Sequence, residues 1–201
     1  MELDAAVRPL VYSPELYAAL FGEDDPEELS LMQVQDQEKA RQIEDVLRDL
    51  YALEVTLSAP AEIEGEQLEL GDSTELDDLR SIAAATQGHT PDDYWDGNVP
   101  PGFVFNHLIN HSATDGYYLP VDFPQAFFVE EISIGSAVVL LQELEALGPV
   151  LAEHYPEEMQ TALTTPDDEE PEGLTGPVRV WQALRRLCHW SAELDLPICL
   201  G

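Results

Sequence analysis

Apolar residues recur at helical spacing through most of this chain, and the start and stop residues around them divide it into elements. Ser13-Pro14-Glu15 reads as a helix start: serine as N-cap, proline at the first helical position, an acid in the first turn. Leu16, Tyr17, Leu20 and Phe21 form the apolar face of that helix, and Gly22 ends it. An acidic loop, Glu23 to Glu28, leads to a helix from about Gln35 to Leu53, in which Ile43, Val46, Leu47, Leu50 and Leu53 share a face and Lys39, Arg41 and Arg48 stand among acids. A third helix, Thr74 to Thr86, is capped by Ser73 or Thr74 and turns Leu76, Leu79, Ile82 and Ala83 inward. Val138, Val139, Leu141, Leu144, Leu147 and Val150 predict a helix capped by Ser136, with Glu143 and Glu145 on its wet side. The last helix, Pro177 to Leu194, gathers Val180, Trp181, Leu184, Leu187, Cys188 and Ser191 on one face.

Where the period shortens to two, strands are predicted. Glu54-Val55-Thr56-Leu57, Glu62-Ile63-Glu64 and Gln67 to Leu70 alternate, giving short edge strands or a hairpin about Gly65, whose acids read as a solvated face. Tyr117–Leu119, Ile132–Ile134 and the terminal Pro197–Leu200 read as further strands. The fold class is therefore α+β: a predominantly helical single domain over residues 1–201 with a small sheet of short strands. Two stretches read as loops. Gln87 to Gly102 combines Gly, Pro, Asp-Gly and Pro-Pro, and about 164–176 is acidic, proline-rich and expected to be mobile.

Composition changes the picture in one respect. A hydrophobic content of 44% in 201 residues supports a folded core, but 41 acidic residues stand against 8 basic ones, a net charge of −33. Such a surface repels nucleic-acid phosphates and anionic lipid headgroups, so the expected partner is a protein, a basic one where charge drives encounter, with no nucleic acid and no membrane. Salt adaptation, an inhibitor or decoy role, and an acidic soluble protein that uses Arg in place of Lys all fit the charge, and net charge does not separate them. Met1-Glu2-Leu3-Asp4 lacks the basic start of a targeting segment, and no apolar run reaches the length of a membrane span. Cys188 and Cys199 form no CxxC and read as free thiols, so the expected compartment is the cytoplasm.

Candidate chemistry concentrates between Asn106 and Phe123, NHLINHSATDGYYLPVDF. If Phe103 to Asn110 is helical, His107 and His111 project from one face a turn apart and can hold a divalent metal, with Asp115 or Asp122 as the nearest third ligand and His89 and His154 further off. Leu108 follows His107, so no general base of the HExxH kind comes with the pair. Asp115-Gly116 signals a turn in which glycine supplies positive φ, and Tyr117 opens the next strand. Tyr94 and Trp95, in the preceding loop, would close over such a site, and the same stretch offers a binding surface for a protein or small ligand, with His107, His111, Asp115, Tyr117, Tyr94 and Trp95 as its candidate residues. The structural alternative makes His107 a satisfied core histidine, His111 and Ser112 the end of the helix, Asp115 a turn residue, and Tyr94 and Trp95 anchors of their loop, and it is the favoured one. Arg179, Arg185 and Arg186 hold much of the basic charge; the cluster could bind an anion, and neutralisation of neighbouring carboxylates is the favoured use.

The succession HSATDGYYLPVDF, IGSAVVLLQELEAL and WQALRRLCHWSAELDLPI resembles a group of small, acidic, uncharacterised bacterial proteins that share an HSxxDGYY-type central segment, a Gly-Ser helix start and a Trp-containing last helix. The resemblance spans residues 103–200 and departs at Ala113, where that pattern more often has an acid. It implies no activity. Some comparably small acidic proteins are immunity partners of toxins, which points to an interaction role. The leading expectation is thus a non-enzymatic protein-binding or inhibitor/immunity-like module without cofactor. The alternative is a metal-dependent hydrolase using His107 and His111 with Asp115 or Asp122. No nucleophile-base-orienter set, P-loop or dinucleotide fingerprint accompanies it.

Overall fold

The computed structural model describes residues 2–21, 26–61, 65–93, 102–112, 114–166, 169 and 173–200. They form two compact units, Arg8–Glu66 on the one hand and Met1–Val7 with Gln67–Gly201 on the other.

The Arg8–Glu66 unit is built on two helices, α1 (Pro14–Phe21) and α2 (Pro26–Tyr51). Ser13 caps α1 as the sequence predicts, its hydroxyl accepting the Leu16 amide at 3.3 Å. Helix α2 starts nine residues before the expected Gln35. Pro26 at the first helical position, with Glu27 in the first turn, is the same start signal as Pro14-Glu15. At 1.5 Å per residue its 26 residues extend about 39 Å. The unit's core is small: Leu10, Val11, Tyr12, Tyr17, Ala40, Ile43 and Leu47 are buried, whereas Leu31, Val34 and Leu50 are more than half exposed. Tyr12 and Tyr17 meet edge to face at 5.7 Å, and the Tyr17 hydroxyl donates to Asp36. The alternating Glu54–Leu57 stretch is not a strand. Its following amides are claimed by a side chain instead, the Glu44 carboxylate accepting Leu57 N–H at 2.6 Å and Ser58 N–H at 2.7 Å. Glu62, Ile63 and Glu64 lie outside the described residues.

The larger unit is a six-stranded mixed sheet with helices packed on it, and the α+β class holds. The strands are β1 (Glu2–Val7), β2 (Glu66–Asp72), β3 (Gly116–Leu119), β4 (Phe127–Val129), β5 (Ile132–Ser136) and β6 (Ile198–Leu200), in the order β2-β1-β6-β3-β5-β4. The C-terminal strand β6 lies between β1 and β3, antiparallel to both, with Ala5 opposite Leu200 on one side and Tyr118 opposite Ile198 on the other. Strands β3 and β5 are parallel, Tyr118 opposite Gly135. Strand β1 went unpredicted, although Glu2 and Asp4 face out and Leu3, Ala5 and Val7 face in with the strict alternation of a half-buried strand.

Helix α3 (Ser73–Ala85) is capped by Asp72 rather than Ser73 or Thr74, in a full capping box with Glu75. A short helix α4 (Asn106–Ile109) and α5 (Ala137–His154) follow, the latter capped by Ser136, whose hydroxyl accepts Val139 N–H at 3.1 Å. The inward face of α5 is rotated from the predicted one: Leu140, Glu143, Leu144, Leu147 and Leu151 are buried. Helix α6 (Pro156–Thr164), also unpredicted, packs against α5 and α7 (Gly176–Leu194), and α5 and α7 pack against each other and the sheet. The acidic stretch 164–176 runs from the end of α6 to the start of α7; residues 167–168 and 170–172 in it lie outside the described residues. Cys188 and Cys199 are buried, and no disulfide joins them.

Candidate functional site

The central segment is organised by α4, one turn of helix held at both ends by buried side chains, a carboxyl and a guanidinium. At its N-terminal end the Glu143 carboxylate accepts the His107 amide at 2.9 Å and the Leu108 amide at 2.8 Å. At its C-terminal end Arg80 donates from Nε to Leu108 O at 3.0 Å and from Nη2 to His111 O at 2.5 Å. Acceptor oxygens on the N-terminal amides and a cationic donor on the C-terminal carbonyls is the arrangement that the open backbone groups of a helix favour. Both side chains are almost fully buried, Glu143 at 2% exposure and Arg80 at 2%. Burial pushes the Glu143 carboxyl up to about 8, against the lowering effect of the amides it accepts.

The two histidines are buried on different partners. His107 Nδ1 accepts the Ser136 amide at 2.9 Å, which places the ring proton on Nε2, and the ring meets Phe123 edge on at 5.4 Å. His111 lies flat on Tyr118 with ring centroids 3.8 Å apart, Nδ1 at 2.8 Å from Ser112 O and Nε2 at 3.1 Å from Tyr117 O. Desolvation pushes both imidazoles down to about 4, so both are neutral at pH 7. The Tyr118 hydroxyl closes the cluster, donating to His107 O at 3.1 Å.

Close packing explains the glycines here. A Cβ on Gly116 would lie 2.2 Å from Ser133 Oγ and 2.5 Å from His111 Cε1; one on Gly135 would lie 2.4 Å from Tyr118 Cδ1. Gly116 is the first residue of β3 and does not take positive φ, so the expected turn role is corrected: glycine is there for space.

His107, His111 and Asp115, read together as a candidate metal set, are not brought together. Helix α4 ends at Ile109, so the four-residue spacing does not put the rings on one helical face, and among the described residues no three His, Cys, Asp or Glu side chains converge as a metal ion needs. Asp115 is exposed, and it is its backbone carbonyl that accepts the Ser133 hydroxyl at 3.0 Å. Asp122 and His154 are exposed, and His89 Nδ1 lies 3.8 Å from Asp93 Oδ2. Tyr117 is half-buried, whereas Tyr94 and Trp95 lie outside the described residues.

The remaining feature is the surface. Among the described residues Glu143 is the one buried carboxylate. Most basic side chains are withdrawn: Arg80 and Arg186 are buried, Arg179 pairs with Glu75 and Arg48 with Asp45, and Arg8 and Arg185 lie over the rings of Tyr12 and Trp181, whereas Lys39 is half-buried and Arg41 exposed. No described helix is long and apolar enough to cross a membrane.

Residues 18–200 match the family described as "Putative DNA-mimic protein". No curated protein and no solved structure matches the chain. The family match corrects the expectation that nucleic acid has no place in this protein's function. Repulsion bears on docking to a phosphate backbone and does not reach imitation of one. Membership gives a non-enzymatic, protein-binding kind of role. The match takes in nearly all of both units, and the chain belongs to this DNA-mimic family.

Proposed function

We propose that the protein occupies the DNA-binding surface of a DNA-binding protein, presenting carboxylates where DNA presents phosphates, and so keeps that surface from DNA. One observation supports this above the rest: apart from Glu143 the described carboxylates face solvent or the surface layer, while six of the eight cations are buried, paired or stacked, leaving Lys39 half-buried and Arg41 exposed on α2. Each unit therefore offers a surface on which carboxylates far outnumber cations. The inhibitor-like role takes the form of competition with DNA.

The frame sets a suitable scale. Each DNA strand carries a charge every 3.4 Å or so of axis, about 6.8 Å over two steps. Alternate outward residues of a strand, such as Glu2 and Asp4 on β1, are separated by about 6.6 Å. Helical neighbours such as the exposed Asp45 and Asp49 on α2 are separated by about 5–6 Å. Cationic side chains spaced for phosphates meet carboxylates at comparable intervals, and charge complementarity speeds the encounter.

The test is competitive. The immobilised protein is used to capture proteins from extract, and a short duplex DNA is then added. Release of the captured DNA-binding proteins by duplex DNA is the expected result. Captured proteins that the duplex does not displace would contradict the proposal, as would capture of none that binds DNA.

A further inference from the structure

Strand β2 and helix α7 leave a cleft of about 250 Å³, lined among others by Leu68, Glu69, Leu174, Arg179, Gln182 and Arg186. Positions 179, 182 and 186 fall on one face of α7. These three side chains hold buried polar atoms without a partner: Nε of Arg179, Oε1 of Gln182 and Nε of Arg186. Gln182 is 2% exposed and Arg186 6%, so both are committed to the interior. Buried polar groups are ordinarily satisfied, and a buried guanidinium is ordinarily paired.

The satisfied atoms define what is left over. Gln182 Nε2 donates to Ala162 O at 3.1 Å, which fixes the amide and leaves its oxygen as an acceptor. Arg179 is bound to Glu75, and Glu69 lines the same cleft. Arg186 has the Trp190 ring 5.1 Å from its guanidinium carbon, so one face is covered, and no carboxylate pairs with it among the described residues. Arg179 and Arg186 are two helical turns apart, about 10 Å along the axis. The cleft is therefore polarised, with an unpaired cation at the Arg186 end and carboxylates at the Arg179 end. A simple anion would approach against a net charge of −33, whereas a zwitterion brings no net charge.

We propose that this cleft binds a small zwitterion of the amino-acid class, its carboxylate on the Arg186 guanidinium, its ammonium toward Glu69 and Gln182 Oε1, and its aliphatic part against Leu68 and Leu174. The volume, below the range usual for drug-sized ligands, suits a ligand of only a few heavy atoms.

The experiment is calorimetric titration of the whole protein with glycine and 4-aminobutyrate as zwitterions of short and long span, butyrate as the carboxylate alone and butylamine as the ammonium alone. Saturable binding of at least one zwitterion is expected, with butyrate and butylamine weaker by about tenfold or more. Arg186→Gln should lose about tenfold or more for that zwitterion. Glu69→Gln, at an exposed position that folding does not depend on, should weaken the zwitterion and leave butyrate unchanged, and it decides the matter if the arginine variant does not fold. No saturable binding by either zwitterion, equal affinity for butyrate, or affinity untouched by Glu69→Gln would overturn the proposal. Competition between the protein and DNA is read with other residues, so either result leaves that reading standing or falling separately.

Discussion

Replacing Glu143 by glutamine separates the two things this side chain does, accepting amides and holding a proton. The folded carboxyl is pushed up to about 8 by burial from an ordinary value of 4.5. It binds its proton more tightly folded than unfolded, so its contribution to stability is complete below pH 4.5 and is lost as pH rises to about 8. At about 1.36 kcal/mol per pH unit, the full window corresponds to a ceiling of about 5 kcal/mol. Glutamine has no such proton. It keeps one acceptor oxygen for the His107 and Leu108 amides and leaves one of them without a partner, at about 1–3 kcal/mol. At about pH 5 the variant should therefore be the less stable protein, and by about pH 9 the gap should close or reverse. Urea unfolding of both proteins at the two pH values gives the difference directly, and titration of His107 and His111, common to both, largely cancels in it. A gap that stays constant between the two would refute the reasoning, because Glu143 would then be ionised throughout.

Three further outcomes follow, two from the same cluster and one from a contrasting glycine outside it. Gly116→Ala puts a Cβ 2.6 Å from the Ser133 backbone oxygen, where nothing flexible can yield, and should lower stability by about 1–3 kcal/mol or more in urea unfolding. Gly148→Ala, whose new Cβ would meet nothing closer than Trp181 at 3.5 Å, should be neutral or stabilising by up to about 1 kcal/mol, and equal effects at the two glycines would contradict the packing account. His107 and His111, pushed down to about 4 from 6.5, contribute stability that is full above pH 6.5 and is lost as pH falls toward 4, a ceiling of about 3 kcal/mol each. Glu143 opposes this between pH 4.5 and 6.5, so the loss is read in the Glu143→Gln background, where an unfolding midpoint flat from about pH 7 to 5 would rule out neutral buried imidazoles.

Most helices were legible because each carries its own start signal and a periodic face. The misses have local causes. Pro26-Glu27 is as clear a helix start as Pro14-Glu15, but it lies within a run of acids that reads as a loop. Strand β1 offers only three inward positions, Leu3, Ala5 and Val7, and two of the three are small. On α5 the stripe was placed by hydrophobicity, which assigned Glu143 to water, yet positions 140, 143, 144, 147 and 151 are the helical succession. Reading spacing before residue type would have found the buried carboxylate. Its partner role was beyond reach, because the α4 amides it accepts lie 35 and 36 residues away in sequence. Arg80 was likewise invisible, since its acceptors Leu108 O and His111 O are 28 and 31 residues distant.

The stretch richest in apparent chemistry and the surface with none to show exchange roles in the folded chain. Histidine, serine, tyrosine and glycine between Asn106 and Ser136 are consumed by one another: Ser136 amide on His107, His111 on Tyr118, Gly116 and Gly135 flat beneath the rings. The exposed acids need no motif, because a surface that acts through charge requires only exposure and a fixed separation. At physiological salt the screening length is about 8 Å, so a partner reads neighbouring charges a strand pair or a helical turn apart, and the total charge of the chain counts for much less. Spacing on that scale is held by strands and capped helices, not by composition. In the larger unit the buried cluster that pins α4, β3, β5 and α5 supplies this stiffness, and on the proposed reading that is its contribution to binding.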